Sequence, residues 1–383
     1  MEAQRGPRGR GFHDSITLSS MGCAIYSGAA PIFRLCGLGE IHQSAYGRWK
    51  LLMRNLMNGN NLRLLLCALM LAAAPVAEAQ QARKVPRVGY LAAVSASADA
   101  PRLEAFRQGL RDLGYVEGQN IQIDYRHEGL DLERLPSHAA ELLRLEVDVL
   151  VTVTTNAALA AKKTTGTIPI VFMGVTDPIT TGLAETLARP GGNSTGITNV
   201  AAVLAGKRLE LLKETMPKVT RVAVLWDRKA PGSIPQWEES QAPAKKLGLE
   251  LYSMEAGSVD EYVASFTQAV KARNDAVWVT LNPVANSNQK LIAELAIANG
   301  LPSICARGDY AENGCLMAYG PGYGMEGKDG ARYVDRILKG AKPADLPIEQ
   351  PTKFELLINL KTAKRIGFTI PRSVLHRADK VIQ

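Results

Sequence analysis

Apolar and polar residues follow two patterns along the chain from residue 86 onward. Short runs of consecutive apolar residues predict buried strands, and stretches in which apolar residues recur every three or four positions predict amphipathic helices. The predicted strands are 87–94, 121–125, 147–153, 168–173, 221–226, 250–254, 276–280, 301–305 and 354–359. The predicted helices are 101–113, 132–144, 156–163, 203–216, 259–272 and 288–299. Such strands, separated by helices, are typical of parallel sheets covered on both faces.

The pattern stops and starts again near the middle of the chain. Residues 190–196, Pro-Gly-Gly-Asn-Ser-Thr-Gly, form a predicted turn cluster between two series of strands and helices. We therefore predict an α/β protein with two doubly wound, Rossmann-like lobes and a ligand cleft between them. The expected first lobe comprises residues 86–198 and about 318–350, and the second comprises 199–317 and about 351–383, so that the chain crosses near residues 198 and 318.

The first 79 residues differ in character from the rest. Basic residues precede an apolar run at 64–74, and the small-residue sequence Ala-Glu-Ala follows at 77–79. A positive flank, a short apolar core and a small-residue exit are the parts of a secretory signal, and the run is shorter than the roughly 20 residues that span a bilayer. We expect cleavage after Ala79 and a periplasmic protein. Because so long a leader is unusual, Met53 or Met57 is expected to be the natural start.

The charge balance carries little functional information once this leader is set aside. The chain has 45 Lys and Arg against 37 Asp and Glu, a formal charge of +8, and without residues 1–79 the balance is +4. No nucleic-acid-binding motif accompanies these charges, so no nucleic-acid partner is expected. Cys305 and Cys315 remain in the mature chain, and the sequence leaves open whether they form a disulfide or stay thiols. Their spacing fits no zinc motif, and neither a metal nor a cofactor is expected.

Polar residues follow several predicted strands, at the edge of an α/β sheet where ligands bind. Thr154, Thr155 and Asn156 lie where a strand meets a helix, so they fit either an anion site at the helix N-terminus or a plain N-cap. Asp177, before Pro178, fits either a partner for a ligand ammonium or the start of a turn. The expected ligand-binding residues are Ser95, Thr154, Thr155 and Asn156 at the anionic end, Asp177 at the cationic end, and Trp226 and Asn282 from the second lobe.

Several longer segments resemble a known family. They are 168–172 (Ile-Pro-Ile-Val-Phe), 187–196 (Leu-Ala-Arg-Pro-Gly-Gly-Asn-Ser-Thr-Gly), 206–214 (Gly-Lys-Arg-Leu-Glu-Leu-Leu-Lys-Glu), 314–320 (Gly-Cys-Leu-Met-Ala-Tyr-Gly), 333–347 and 350–364. Together they resemble the ABC-transporter substrate-binding proteins of the tryptophan/tyrosine-binding type, which are periplasmic binding proteins with the type I fold. The resemblance covers about 87–382. Cys315 departs from it, since a glycine is usual there, and so does the glycine-rich loop 322–324.

This resemblance implies a binding protein and not an enzyme. Two lobes joined by crossing strands hold a small molecule, and a membrane permease recognises their closure. The implied ligand is an amino acid, with aromatic ones favoured, or a related carboxylate, and the implied partners are the permease subunits of an ABC importer. The protein is expected to act as a monomer. Independently of the resemblance, the predicted anion site and Asp177 suit a zwitterion.

A dinucleotide-binding enzyme is the main alternative, because residues 322–327 (Gly-Tyr-Gly-Met-Glu-Gly) fit the pattern G-x-G-x-x-G. That fingerprint belongs after the first strand of such a fold, and here it follows a later apolar strand predicted at 315–319, so a tight turn between the lobes is the preferred interpretation. A hydrolase is disfavoured because the zinc-protease motif H-E-x-x-H is absent. A transcription regulator of this fold needs an N-terminal helix-turn-helix, where this chain has a predicted signal sequence.

Overall fold

The computed structural model describes Lys50 and residues 84–129, 131–322 and 324–383. Residues Lys84–Gln383 form one compact unit, and the predicted signal sequence with its cleavage site lies outside the described residues. Within the described part of the chain, no helix is both long enough and apolar enough to cross a membrane.

The first lobe is built on a five-stranded sheet in which every strand is parallel to its neighbours. Its strands are β1 (Arg87–Ala92), β2 (Gln122–His127), β3 (Val149–Val153), β4 (Ile170–Val175) and β5 (Ser194–Thr198), in the order β2-β1-β3-β4-β5. Its first helices are α1 (Ala96–Asp112), α2 (Leu135–Arg144, after a 3-10 turn at Leu132–Arg134) and α3 (Thr155–Thr164). The strand order reverses between β1 and β3, which places a topological switch point beside the N-termini of α1 and α3.

The second lobe repeats this strand order and extends it. Its strands are β6 (Arg221–Trp226), β7 (Glu250–Glu255), β8 (Ala276–Val279), β9 (Ser303–Cys305), β10 (Met317–Pro321), β11 (Phe354–Asn359) and β12 (Lys380–Ile382), in the order β12-β11-β10-β9-β8-β6-β7. The remaining helices, of which α10 returns to the first lobe, are α4 (Ala205–Thr215), α5 (Ile234–Lys246), α6 (Val259–Lys271), α7 (Pro283–Ser287), α8 (Gln289–Ala298), α9 (Gly308–Glu312), α10 (Met325–Leu338), α11 (Leu360–Arg365) and α12 (Arg372–Leu375). Only the pair β10–β11 is antiparallel among these described strands. The prediction of two doubly wound α/β lobes is confirmed.

The chain passes between the two sheets three times. It leaves the first sheet after β5, returns after β10 and passes back before β11. Helix α10 packs along α1 and against β4 of the first lobe, and a β-bridge joins Ile197 to Glu349. The lobe boundaries near residues 198 and 318 stay a prediction. Strand Met317–Pro321 pairs in the second sheet over its whole length, so that sheet extends beyond residue 318.

Each sheet is covered by apolar side chains on both faces, which is why its central strands have continuous apolar sequences. All residues of β3 are buried. Phe106 of α1 and Val334 of α10 pack on one face of the first sheet, and Leu142 of α2 packs on the other. In the second lobe, Trp278 of β8 is completely buried. The two lobes therefore have separate hydrophobic cores, one around each sheet.

The predicted turn cluster at 190–196 is a turn only in its first half. Its second half belongs to strand β5. A Cβ on Gly196 would collide with the carbonyl oxygen of Phe172, so only a glycine at this position permits the close pairing with β4. Residues 192–196 also fit the hydrolase pattern G-x-S-x-G. However, Ser194 is buried and its hydroxyl donates a hydrogen bond to the carbonyl oxygen of Leu183, so it is a structural residue.

One glycine of the segment 322–327 serves the packing of two helices. The loop joins β10 of the second lobe to α10 of the first, which agrees with the turn interpretation. A Cβ on Gly327 would collide with the carbonyl oxygen of Arg102 and the backbone nitrogen of Phe106, so the glycine lets α10 lie directly against α1. The close backbone approach that the motif predicts is made to a helix and not to a pyrophosphate.

Cys305 and Cys315, which the sequence left open, are joined by a disulfide, and both are buried. The bond closes the segment between β9 and β10. That segment carries α9 and also Arg307, which lies between the lobes.

Candidate ligand-binding cleft

Two small adjoining cavities lie between the carboxyl ends of the two sheets. Each has a volume of about 20 Å³, enough for about one water molecule. They share Thr154, Gly174, Asn199 and Leu281 in their walls. The first is also lined by Thr155, Asn156, Thr176, Ala230, Gly232, Asn282 and Pro283, and the second by Arg102, Ala306, Arg307, Pro321 and Glu326. We call the space formed by both cavities the cleft.

One wall of the cleft is the N-terminus of α3. Thr154 precedes the helix with φ 79° and ψ 164°, a backbone conformation that costs a non-glycine residue about 1–3 kcal/mol. Its side chain makes no capping hydrogen bond, and its Oγ1 is buried without a partner. The N–H groups of the first helical turn therefore lack the usual side-chain cap, and they lie at the positive end of the helix dipole.

Asn282 of the second lobe lines the same cavity as this helix end. Its Oδ1 accepts a hydrogen bond of 2.8 Å from the N–H of Ala285 and so caps α7. Its Nδ2 is buried without a partner, and the residue is only 3% exposed. A buried donor without a partner costs about 1–3 kcal/mol. Because the cap fixes the orientation of the amide, the NH₂ group is the part of Asn282 that is available to a ligand.

Charged side chains form the opposite wall. Arg102 of α1 donates hydrogen bonds to Asp99, at 2.9 Å, and to Glu326 of α10, at 3.1 Å, and all three residues are buried. In the second lobe, Arg307 makes a bidentate ion pair with Asp309, with both distances 2.7 Å. Each lobe thus brings a guanidinium group to the second cavity, together with carboxylate partners.

The carboxylates of this wall are held in their charged form. Burial by itself raises the pKa of the Asp99 carboxyl, but the hydrogen bond with His127 and the charge of Arg102 outweigh burial, so the pKa lies below its ordinary value. The pKa of Asp309 is lowered in the same way, since its ion pair with Arg307 outweighs the effect of burial. Both carboxylates are therefore ionised at neutral pH and fix the two guanidinium groups.

Asp177 lies in a turn and does not line the cleft. One of its carboxylate oxygens accepts a hydrogen bond of 3.0 Å from the N–H of Thr180, and the other accepts one of 2.6 Å from the Thr180 hydroxyl. Both bonds stay within the loop that follows β4. The geometry is that of a turn, the second of the two interpretations that the sequence left open.

Ser95 and Trp226 also lie outside the two cavities. The hydroxyl of Ser95 accepts from the N–H of Ala98 at 3.3 Å and caps α1. Trp226 stacks face to face on Trp237, with ring centroids 5.3 Å apart, so one face of its ring is covered by another residue of the second lobe. The cleft brings together four of the seven predicted binding residues: Thr154, Thr155, Asn156 and Asn282.

Charged residues of the cleft were missed by reasoning from the sequence. Arg102 and Glu326 lie on helices, whereas the strand-end rule concerns only residues that follow strands. Glu326 is part of the G-x-G-x-x-G segment, where an acidic residue among glycines at the start of a helix was the available signal. Arg307 follows β9, and the strand-end rule selects this position, but Arg307 was not among the predicted binding residues.

The two lobes touch each other around the cleft. The N–H of Ser95 donates a hydrogen bond of 3.2 Å to the hydroxyl of Ser287 in the second lobe. Gly232 approaches Thr155 so closely that a Cβ on the glycine would lie 2.7 Å from the threonine Oγ1. Beside these contacts, a groove of about 780 Å³ is bordered by Pro101 of the first lobe and Asp309 of the second. The lobes are closed on the cleft, and the groove runs along their junction.

The compact unit matches one protein family over nearly all of its length. The model of the family described as ABC transporter substrate binding protein matches residues 87–382. The chain therefore belongs to the ABC transporter substrate-binding proteins, which are not enzymes. A tyrosine-binding protein of Clostridioides difficile (strain R20291) is 27% identical over 277 residues, a match that covers 71% of this chain and 79% of the relative.

Solved structures show the same similarity. A conserved domain protein from Vibrio cholerae O1 biovar El Tor has a TM-score of 0.74 at 28% identity, covering 78% of this chain and 100% of that one. An ABC domain from Streptococcus pneumoniae in complex with L-Trp has a TM-score of 0.72 at 28% identity, covering 78% and 99%. A ligand-free, open substrate-binding protein from Clostridium difficile, at 25% identity and coverage of 78% and 100%, has a TM-score of only 0.59. All three similarities extend over nearly the whole length of the other chain.

Proposed function

We propose that this protein, acting as a monomer, captures an amino acid or a related carboxylate between its lobes and delivers it to the permease subunits of an ABC importer. Aromatic amino acids are the favoured ligands. The observation that carries the proposal is a pair of buried polar atoms without partners, Thr154 Oγ1 and Asn282 Nδ2, beside the N-terminus of α3. One atom belongs to each lobe, so a ligand that binds both holds the lobes together.

A ligand carboxylate satisfies these groups at once. When ionised it only accepts hydrogen bonds, and the first-turn N–H groups of α3, the Thr154 hydroxyl and the Asn282 amide all donate. Helix N-termini bind anions through the same combination of free N–H groups and dipole. The two walls lie together here with room for only about one water molecule in each cavity, so an amino acid must enter an opened cleft. A ligand that then binds both walls shifts the population toward a closed state.

Calorimetric titration of the purified protein tests the proposal. The relatives support an amino acid, since one is a tyrosine-binding protein and another was solved in complex with L-Trp. L-Tyrosine and L-tryptophan are the first probes, followed by the other amino acids and their des-amino analogues. We expect at least one to bind with a Kd of about 1 μM or below and to raise the Tm. If none binds, the proposal fails.

Asn282→Asp is expected to weaken the binding of the ligand carboxylate about ten- to a hundredfold, the loss of one charge-assisted hydrogen bond of about 1.5–3 kcal/mol. Aspartate keeps the oxygen that caps α7 but replaces the NH₂ donor with an anionic oxygen, which repels a carboxylate. Calorimetry measures the affinity, and thermal melts without ligand check the fold. Asn120→Asp, at an exposed position before β2, is the matched control. An equal loss in both variants would show a general effect of charge and not a contact with the ligand.

The proposed place of action is the periplasm, reached through the signal sequence ending at Ala79. We expect protein recovered from the periplasm to begin at Gln80, because the small residues at 77–79 fit the cleavage site of a signal peptidase. N-terminal sequencing of the periplasmic fraction checks this result. A cytoplasmic protein that retains residues 64–79 would contradict the proposed localisation.

A further inference from the structure

Glu326 is the carboxylate-bearing residue among the described residues that line the cleft. It is the second residue of α10 and is 6% exposed. Its Oε2 accepts the hydrogen bond from Arg102, which leaves Oε1 to bind a ligand. The carboxylate lies against Gly174, where an added Cβ would be 3.0 Å from Oε2. Gly174 and Thr154 line both cavities, so Glu326 adjoins the anion site at the N-terminus of α3.

The neighbouring acids have their oxygens occupied. One oxygen of Asp99 accepts from Arg102 and the other from the hydroxyl of Tyr90. Both oxygens of Asp309 accept from Arg307. Asp177 binds only within its own turn. Glu326 is thus the acid best placed to bind a positively charged group in the cleft.

The charge balance of this wall points the same way. Asp99 and Glu326 share the single guanidinium of Arg102, and Asp99 has His127 as a further neighbour at 3.1 Å. Buried charges are stable only when they are paired. A ligand cation beside Glu326 adds a second positive charge to the two carboxylates that share Arg102.

We propose that Glu326 binds the ammonium group of an α-amino acid whose carboxylate binds at the N-terminus of α3. The inference rests on the proposed function and narrows it to α-amino acids. A carboxylate without a free amino group makes only one of the two charged contacts. The two charged groups of an α-amino acid are attached to one carbon atom, so their binding sites must adjoin, as Thr154 and Glu326 do across Gly174. Arg102 is a positioning residue, because its bonds to Asp99 and to Oε2 fix the Glu326 carboxylate.

The test compares Glu326→Gln with wild type on pairs of ligands that differ only in the amino group. The probes are L-tyrosine and 3-(4-hydroxyphenyl)propionate, or the corresponding pair for the amino acid that wild type binds best. Calorimetry should show that wild type prefers the amino acid about ten- to a hundredfold. In Glu326→Gln we expect that preference to be lost, with the affinity for the des-amino acid unchanged or higher. Asp329→Asn, which removes an ion-paired carboxylate of α10 outside the cleft, should keep the wild-type preference.

The outcomes separate this inference from the proposed function. Wild type that binds no amino acid defeats the proposed function itself. Wild type that binds an amino acid, with Glu326→Gln retaining the full preference, overturns the assignment of Glu326 alone. If Glu326→Gln does not fold, the same comparison is made with Glu326→Asp. Aspartate keeps the negative charge, but its side chain is one methylene shorter, so the carboxylate lies farther from the ligand. We expect Glu326→Asp to show an intermediate preference, and an unchanged preference would overturn the inference.

Discussion

Replacing Gly232 by valine is expected to weaken ligand binding about a hundredfold while leaving the Tm of the ligand-free protein near that of wild type. Gly232 meets Thr155 of the other lobe, and an added Cβ would lie 2.7 Å from the threonine Oγ1. A valine therefore obstructs closure, and the contacts from the two lobes cannot form together. The backbone of Gly232 is outside the left-handed region, so it accepts a valine without strain of its own. The side chains nearest to this Cβ, those of Thr155 and Thr176, both belong to the other lobe, so a variant that stays open avoids the clash and should be as stable as wild type.

Calorimetry and small-angle X-ray scattering check the two parts of this expectation. The radius of gyration of wild type should fall when ligand is added, and that of Gly232→Val should not. Gly166→Val is the matched control, since nothing lies within 4 Å of a Cβ at that position. Wild-type affinity in Gly232→Val would mean that the ligand does not need the closed arrangement.

Arg208→Met is expected to destabilise the protein by about 3–5 kcal/mol, a fall in Tm of roughly 10 °C. Arg208 is completely buried in α4. Its guanidinium donates to the carbonyl oxygens of Ala201, Tyr319 and Ala306 at 2.7, 2.9 and 3.2 Å. Ala201 begins the first crossing between the lobes and Tyr319 precedes the second, so one side chain ties both crossings to the second lobe. Methionine fills a similar volume but leaves three buried carbonyl groups without donors.

Urea unfolding and thermal melts at neutral pH measure this loss. Burial lowers the pKa of the Arg208 guanidinium to about 9, so the group is still charged under these conditions. Lys207→Met, on the exposed side of the same helix, removes an ion pair with Glu210 and should change stability by less than about 0.5 kcal/mol. A loss equally small in Arg208→Met would show that the three hydrogen bonds contribute little.

Much of the fold could be predicted from the sequence because its central strands are buried on both faces. Strands 221–226 and 354–359 were predicted to the residue, since an apolar run is the direct signal of such burial. Helix α5 (Ile234–Lys246) was not predicted. Its buried side includes Gln236, Ser240 and Ala244 at helical spacing, and these polar and small residues give no hydrophobic periodicity.

The residues of the candidate site could likewise be predicted only in part. The N-terminus of α3 and Asn282 could be predicted, because each follows a strand and strand ends meet at one edge of a sheet. Arg102 and Glu326 are 224 residues apart in the sequence, and only the packing of α10 on α1 brings them together. Asp177 is the opposite case, a residue that was predicted to bind the ligand but lies in a turn outside the cleft. Whether a carboxylate after a strand faces a ligand or its own turn depends on the local backbone, here φ 45°, which residue type alone does not specify.

A crystal structure of the protein with its best-binding amino acid tests the central claim most directly. The account predicts one ligand molecule between the two sheets. Its carboxylate should accept from the first-turn N–H groups of α3 and from Asn282 Nδ2, and its ammonium should lie against Glu326. A ligand bound within one lobe, or on the outer surface with Thr154 Oγ1 and Asn282 Nδ2 still without partners, would contradict it.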